Sequence, residues 1–415
     1  MTDPVMRDHI LVIFTSNYPY DTGEEFFSGE LEHLKTNYSI EIVPVSAINL
    51  STKRTLEFKV NNWLIDHLRI IPLLRQTIAS VFSVKFYEAL FIECRTVQKI
   101  GVYELKRLVS QYAKARIAAK LIRQILQTNR NRQVIFYSYW LDFPILGFKF
   151  IKKTGNYKVI ARAHGIDLFA DQNIRGYVPL QLQKIALLDK LILVSDNGMR
   201  YLLQKYGNQL ANKLVVSKLG VTKMFPNHLQ YDVKNLCLIS ISSCVEIKRI
   251  NLIIDLIAKV REYGVDLTWQ HIGYGDLFDN MEEYAALKLK KGFLFHGYQS
   301  NYEVQRMLAT NSFAALISCS FSEGGNPVSM QEAQAYGLPI IATDVGGVSE
   351  VFEQYDCGWL IERDFVLEDV AAMLAAELCN SELRLIKSDG ASRSFISKYQ
   401  AEVNYSEFCR LLQEL

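Results

Sequence analysis

Seven cysteines, an odd number with no Cys-x-x-Cys spacing, are scattered through the 415 residues. A disulfide framework or a zinc site needs paired or regularly spaced thiols, so the pattern argues for reduced cysteines in a cytoplasmic protein. There is no Asp-x-Asp pair and no His or Cys cluster with ligand spacing, so no metal site is expected. Net charge is only +2, and nothing global points to nucleic acid. The opening MTDPVMRDHILVIF carries acidic residues where a secretory leader is basic, so no signal peptide is expected. Long apolar runs are missing too. The longest apolar region, Ile70 to Ile92, is interrupted by Arg75, Lys85 and Glu88 and falls short of a spanning helix.

What is present is alternation. Strand-like apolar runs alternate with helical patterns, the signature of βαβ units and parallel sheets in an α/β fold. In the first half the predicted strands are His9 to Thr15, Ser39 to Val45, Gln133 to Tyr137, Tyr157 to Ala161, Lys190 to Val194 and Lys213 to Ser217. In the second they are Leu236 to Ile241, Leu267 to Ile272, Gly292 to Phe295, Ser312 to Ile317, Leu338 to Ala342 and Gly358 to Ile361. The chain exceeds what one core usually holds, so two domains are expected, over 1–222 and 233–397, with a terminal segment 398–415. Thr222 to Asp232 lacks periodicity and holds a proline, which marks the linker.

The most informative stretch is Ser322 to Glu350. Its turn Glu323-Gly324-Gly325-Asn326-Pro327 permits close backbone approach, and Val328 to Tyr336 reads as a helix with first-turn amides, those of Val328 and Ser329 included, open to a ligand. A diphosphate fits such a helix start. Glu332, one turn in, could accept both hydroxyls of a ribose, while Glu323 lies on the loop within reach of a sugar ring. Leu338 to Thr343 reads as a buried strand, and Asp344-Val345-Gly346-Gly347 as a second permissive turn at its end. Both turns then lie at the carboxyl edge of a parallel sheet, where open α/β folds bind ligands. A second loop, SISSCVEIKRIN from Ser240 to Asn251, also joins a strand to a helix at that edge.

On these residues the chain resembles, over nearly its full length, the retaining glycosyltransferases of family 4, whose GT-B fold sets two facing Rossmann-like domains with parallel sheets around an interdomain cleft. The resemblance gives Glu332 the nucleotide ribose and Glu323 the donor sugar. Eight residues separate the two, one more than the family's spacing, so Glu323 must reach its place by a bulged turn or be replaced by backbone amides. In the second loop Lys248 takes the family's diphosphate-binding Lys position, Ser243 stands where an Arg is usual, and Arg249 could compensate. The segment Arg162-Ala163-His164-Gly165-Ile166-Asp167 resembles the His-Gly segment facing the donor. It implies His164 as a donor-side or phosphate contact and Asp167 as a polar support or acceptor contact. The turn Asn17 to Glu24 resembles the loop bordering the acceptor pocket, with Gly23 placed among the donor contacts. Glu25 and Glu30 follow on a helix, either functional or on a solvated face. Gly273 and Gly275 could line the base pocket. Asn404 to Phe408 resembles the terminal helix that packs back on the first domain.

The activity so implied is metal-independent and needs no cofactor. It moves a sugar, with retention, from a nucleoside diphosphate sugar to a glycan acceptor such as a lipid-linked surface polysaccharide precursor. Two rivals remain: a GT-B-fold nucleotide-sugar epimerase, and a non-catalytic nucleotide-sugar-binding subunit, the latter because of Ser243 and the displaced Glu323. Residues 55–128 break the alternation as a helical insert. Residues 51–132 carry sixteen Lys or Arg against five Asp or Glu. Such a surface, with Trp63, Phe82, Phe86 and Tyr87, could lie on an anionic membrane at the inner face of the cytoplasmic membrane. The alternative is a helical layer on the sheet with solvated Lys and Arg outside.

Overall fold

The computed structural model describes residues 9–20, 24, 26–50, 57–97, 100–153, 156–226 and 236–415. Gly23, Glu25 and most of the expected linker lie outside them. The chain forms two compact units: residues up to Ser217 together with Tyr405–Leu415, and Lys218–Asn404.

The first unit holds seven parallel strands: β1 His9–Thr15, β2 Ser39–Pro44, β3 Lys59–Val60, β4 Gln133–Ser138, β5 Tyr157–Ala163, β6 Lys190–Leu193 and β7 Leu214–Val216. Their order is β3-β2-β1-β4-β5-β6-β7. Successive residues of β1 explain why such strands read as unbroken apolar runs. Ile10, Val12 and Phe14 enter one core cluster while Leu11 and Ile13 enter another on the opposite face. A sheet covered by helices on both faces has no polar side to show. The second cluster is completed by Phe408, Cys409 and Leu412 from the terminal helix.

Among the described residues of this unit, Glu30 and Arg162 form a buried ion pair. Glu30, on helix α1 (Phe27–Leu34), is fully buried, so the solvated-face reading does not hold for it. Its Oε2 lies 2.9 Å from the Arg162 guanidinium, and its Oε1 accepts the Tyr137 hydroxyl at 2.7 Å. Arg162 also donates to the Tyr137 hydroxyl oxygen and the Ser217 carbonyl, and lies 4.7 Å above the Phe408 ring.

The insert is helical, as its pattern predicts: α2 Trp63–His67, α3 Ile70–Val81, α4 Val84–Thr96 and α5 Val102–Thr128. Of the four aromatics named for its surface, Phe82 and Tyr87 are exposed and the other two are not. Phe86 is buried with Tyr112 and Leu180, and Trp63 packs on the main core, stacked 3.7 Å from His67. The outer side of α3 is apolar rather than a row of solvated Lys and Arg, with Ile70 84% exposed. Glu93 anchors α4, accepting the Leu180 amide at 2.8 Å and the Tyr177 hydroxyl at 3.0 Å.

The second unit repeats the plan with six parallel strands: β8 Leu236–Ile241, β9 Leu267–Ile272, β10 Phe293–Phe295, β11 Ala315–Ser318, β12 Ile340–Thr343 and β13 Gly358–Ile361. Their order is β10-β9-β8-β11-β12-β13. Ile340 and Ile341 again face opposite cores. In each sheet the winding reverses beside the unit's first strand, between β1 and β4 and between β8 and β11. Loops diverge at such a point and leave a crevice outside the carboxyl ends of the strands.

Candidate functional site

At the switch point of the second sheet, the loop after β8 and the loop after β11 are stitched together. The Phe321 amide donates to the Ile247 carbonyl at 2.8 Å. Arg249 takes a left-handed backbone conformation, and its guanidinium donates to the Cys319, Ser320 and Arg363 carbonyls at 2.6, 3.3 and 2.8 Å. Its donors are thus directed to loop carbonyls, and Ser243 lies exposed on the same loop. Lys248 completes the seam by pairing with Glu323 through a hydrogen-bonded salt bridge. The Gly-rich turn thus sets Glu323 beside Lys248, both only partly exposed.

That turn runs straight into the helix Val328–Ala335, where Pro327 holds the N-cap position and no side chain caps the amides. The Pro327 carbonyl accepts the Met330 and Gln331 amides at 3.0 and 3.2 Å, which starts the helix. Uncapped first-turn N–H groups carry the positive end of the helix dipole and suit an anion. Asn326 is held by the neighbouring turn: its side chain donates to Gln334 at 3.2 Å and its carbonyl accepts Gln331 at 2.9 Å. The backbone passes too close for any other residue at Gly346. There φ is +57°, and an added Cβ would lie 1.7 Å from the Glu323 carbonyl oxygen. Gly273 is equally constrained, with a Cβ position 1.8 Å from the Ser242 carbonyl oxygen.

Glu332 is buried, and its carboxylate accepts a hydrogen bond from Asn301. Burial pushes its pKa up to about 7, with the Asn301 amide pulling against it. Desolvation thus outweighs that hydrogen bond. Beneath the β8 loop a polar chain runs through the core. The Trp269 indole donates to Ser240 Oγ at 2.9 Å, Ser240 Oγ lies 2.8 Å from His271 Nδ1, and His271 Nε2 lies 3.1 Å from Cys244 Sγ.

The first sheet's switch point is built differently. Glu24 accepts the amides of Ser16, Asn17 and Tyr18 at 2.9, 2.8 and 2.7 Å and the Trp140 indole N–H at 2.6 Å. It joins the loop after β1 to the loop after β4. The sequence reading places Glu24 in the right turn without assigning it a role. Its only visible signal there is its position closing a turn after the first strand.

His164 and Asp167 follow β5 and are both buried. Asp167 accepts the His164 and Leu141 amides at 2.9 and 2.8 Å, so it shapes this loop. Burial raises its pKa to about 6 against those hydrogen bonds. His164 Nε2 lies 3.0 Å from the Tyr139 carbonyl. A carbonyl only accepts, so Nε2 carries the proton and Nδ1 is left as an acceptor. Burial, reinforced by the nearby Arg162 charge, lowers the His164 pKa to about 3 and keeps the ring neutral.

Residues 223–387 match the glycosyl transferases group 1. The match covers the Lys248 loop, the Gly-rich turn and Glu332. Among curated proteins the chain is similar to WcaL of Escherichia coli (strain K12), assigned as a colanic acid biosynthesis glycosyltransferase, at 28% identity over 50% of this chain and 52% of that one. It is also similar to the amylovoran biosynthesis glycosyltransferase AmsK of Erwinia amylovora, at 24% identity over 49% and 52%. The chain thus spans about half the length of the curated relatives it matches. Solved structures show the same fold over almost the whole chain. A variant of S. aureus TarM in complex with Fondaparinux, alpha-GlcNAc-glycerol and UDP gives a TM-score of 0.68 at 15% identity, covering 97% of this chain and 99% of that one. Anabaena HepE in complex with UDP-glucose gives 0.68 at 13% identity, covering 98% and 100%. The architecture is the GT-B glycosyltransferase fold, two Rossmann-like domains with parallel sheets.

Proposed function

We propose that the protein is a retaining glycosyltransferase of family 4 that moves a sugar from a nucleoside diphosphate sugar to a glycan acceptor, a lipid-linked precursor of a surface polysaccharide at the inner face of the cytoplasmic membrane. The observation that carries the reading is the Lys248–Glu323 pair, set across the β8/β11 switch point beside an uncapped helix start and the buried Glu332. The glycosyltransferase match over the same residues and the polysaccharide relatives support it.

In this reading the diphosphate lies on the amides of Val328 and Ser329 and takes Lys248 from Glu323. The released Glu323 carboxylate then accepts hydroxyls of the donor sugar, and Glu332 accepts the two ribose hydroxyls. The bond from the anomeric carbon to the diphosphate oxygen breaks as positive charge grows on the sugar. Lys248 and the helix amides meet the charge left on the diphosphate, the role a divalent ion plays elsewhere. The acceptor hydroxyl attacks on the face the diphosphate leaves, and its proton passes to the diphosphate, so configuration is retained. His164, neutral, offers Nδ1 to a donor hydroxyl, and Asp167 holds its loop. Arg249 acts by fixing the loop that carries Lys248.

Incubating the protein with donors chosen by thermal shift, with and without glycan acceptor and with EDTA throughout, tests this. Acceptor-dependent release of the nucleoside diphosphate, with an α-linked donor giving an α-linked product by NMR, is expected. Conversion of the donor to another sugar nucleotide without acceptor would mean an epimerase, and binding with no turnover a non-catalytic subunit.

A further inference from the structure

Among the described residues, the outer face of the insert is the largest run of exposed apolar side chains. On α3, Ile70, Ile71, Leu74, Ile78 and Val81, with Phe82 just beyond its end, are all exposed. At about 100° per residue they fall within roughly 120° of the helix circumference. The opposite side of α3 is occupied: Leu73 packs on the main core, Ser80 is buried, and the Gln76 side chain accepts the Arg116 guanidinium at 3.0 Å. The second helix continues the pattern, with Val84, Tyr87 and Phe91 exposed while Phe86, Ala89 and Glu93 are buried. A helix apolar on both sides is expected inside a core, and here one of those sides is left exposed by the described residues. Soluble monomers seldom leave so many large apolar side chains together in water.

The charges beside this stripe are mostly of one sign. Arg69, Arg75, Lys85 and Arg95 are exposed on the same stretch, against exposed Asp66 and Glu88. Arg95 lies with its guanidinium 4.2 Å over the exposed Phe91 ring, so positive charge and apolar surface share this face. Apolar residues flanked by long basic side chains that reach sideways suit the boundary between acyl chains and anionic headgroups. Among the described residues no helix is long and apolar enough to cross a membrane. These helices would lie in the surface.

We infer that the outer face of α3, the turn at Phe82 and the start of α4 form a membrane-docking surface that inserts Ile70, Leu74, Ile78 and Phe82 into the acyl boundary of an anionic bilayer. The inference rests on the reading of a lipid-linked acceptor, which it deepens: such an acceptor is confined to a bilayer surface, and this face holds the enzyme there. Insertion of branched and aromatic side chains carries the affinity, and the basic residues add preference for anionic lipid. Phe86 and Trp63 take no part, being committed to the protein core.

Flotation of the full chain with vesicles of phosphatidylglycerol and phosphatidylcholine, and with phosphatidylcholine alone, tests this. The wild type should float with the anionic vesicles, and the variant Ile70→Ser/Leu74→Ser/Ile78→Ser/Phe82→Ser should partition at least about tenfold less. The variant Arg75→Gln/Lys85→Gln/Arg95→Gln should lose mainly the preference for anionic lipid. The thermal shift given by UDP should be the same in all three proteins, reporting an intact second unit. Equal flotation of the serine variant would overturn the proposal. So would a wild type that stays off vesicles, and a wild-type dimer that the serine variant makes monomeric would then assign the stripe to a second copy. Vesicle binding without transfer to a lipid-linked acceptor would leave the docking surface standing and remove the acceptor reading.

Discussion

Under the proposed function, Glu332 has to do two things that oppose each other. As a ribose ligand its carboxylate must be ionised, whereas in the folded protein burial holds its pKa near 7. Its folded value exceeds the unfolded one, about 4.5, so its contribution to stability is fully present below about pH 4.5 and disappears as pH rises through about 7. With each pKa unit worth about 1.4 kcal/mol, ionised Glu332 costs the ligand-free protein on the order of 3 kcal/mol above that pH. Glu332→Gln should therefore raise the denaturation midpoint at pH 8 and leave it little changed at pH 4.5, while weakening nucleotide binding strongly. Wild-type affinity for UDP should fall as pH drops below about 7, and calorimetry across pH 5.5 to 8 on both proteins checks the pair of effects. An unchanged affinity in the Gln variant would remove Glu332 from the site.

At the scale of elements, the proposed reaction makes the loop after β8 the carrier of one cation, Lys248. Because the Lys248–Glu323 pair is partly exposed, Lys248→Ala should cost less than about 1 kcal/mol of stability. Turnover should fall by about a hundredfold or more, since leaving-group charge then goes unmet. Urea unfolding and steady-state rates measured side by side separate the two, and equal losses would make the pair structural. The elements themselves were readable in advance, because strands buried on both faces must be apolar throughout: the run HILVIFT and the observed β1 coincide. The edge strand Lys59–Val60 was not, being two residues long with no apolar run. The same limit applies to side chains. The sequence puts Lys248 and Glu323 on separate loops 75 residues apart, and only the switch point of the sheet makes them partners. Glu30 looks like any helix-surface glutamate until β5 presents Arg162 to it. Nor does helical periodicity say which apolar side of a helix stays uncovered, so the sequence alone does not separate buried Phe86 and core-packed Trp63 from exposed Phe82 and Tyr87.

For the molecule as a whole, two units with separate cores imply unfolding that is not two-state. Calorimetry should show two transitions, with UDP moving the one that belongs to Lys218–Asn404; at a hundred times the dissociation constant the gain is about 2.7 kcal/mol. A shift confined to the other transition would place the nucleotide in the wrong unit. The division of the chain also has a bearing on biosynthesis. The 187 residues from Lys218 to Asn404 intervene before Phe408, Cys409 and Leu412 can close the core around Ile13 and Tyr137. At the usual pace of a ribosome that interval is about 10–40 s. Throughout it the nascent first unit keeps an apolar face uncovered, so this half of the protein depends most on chaperones during translation.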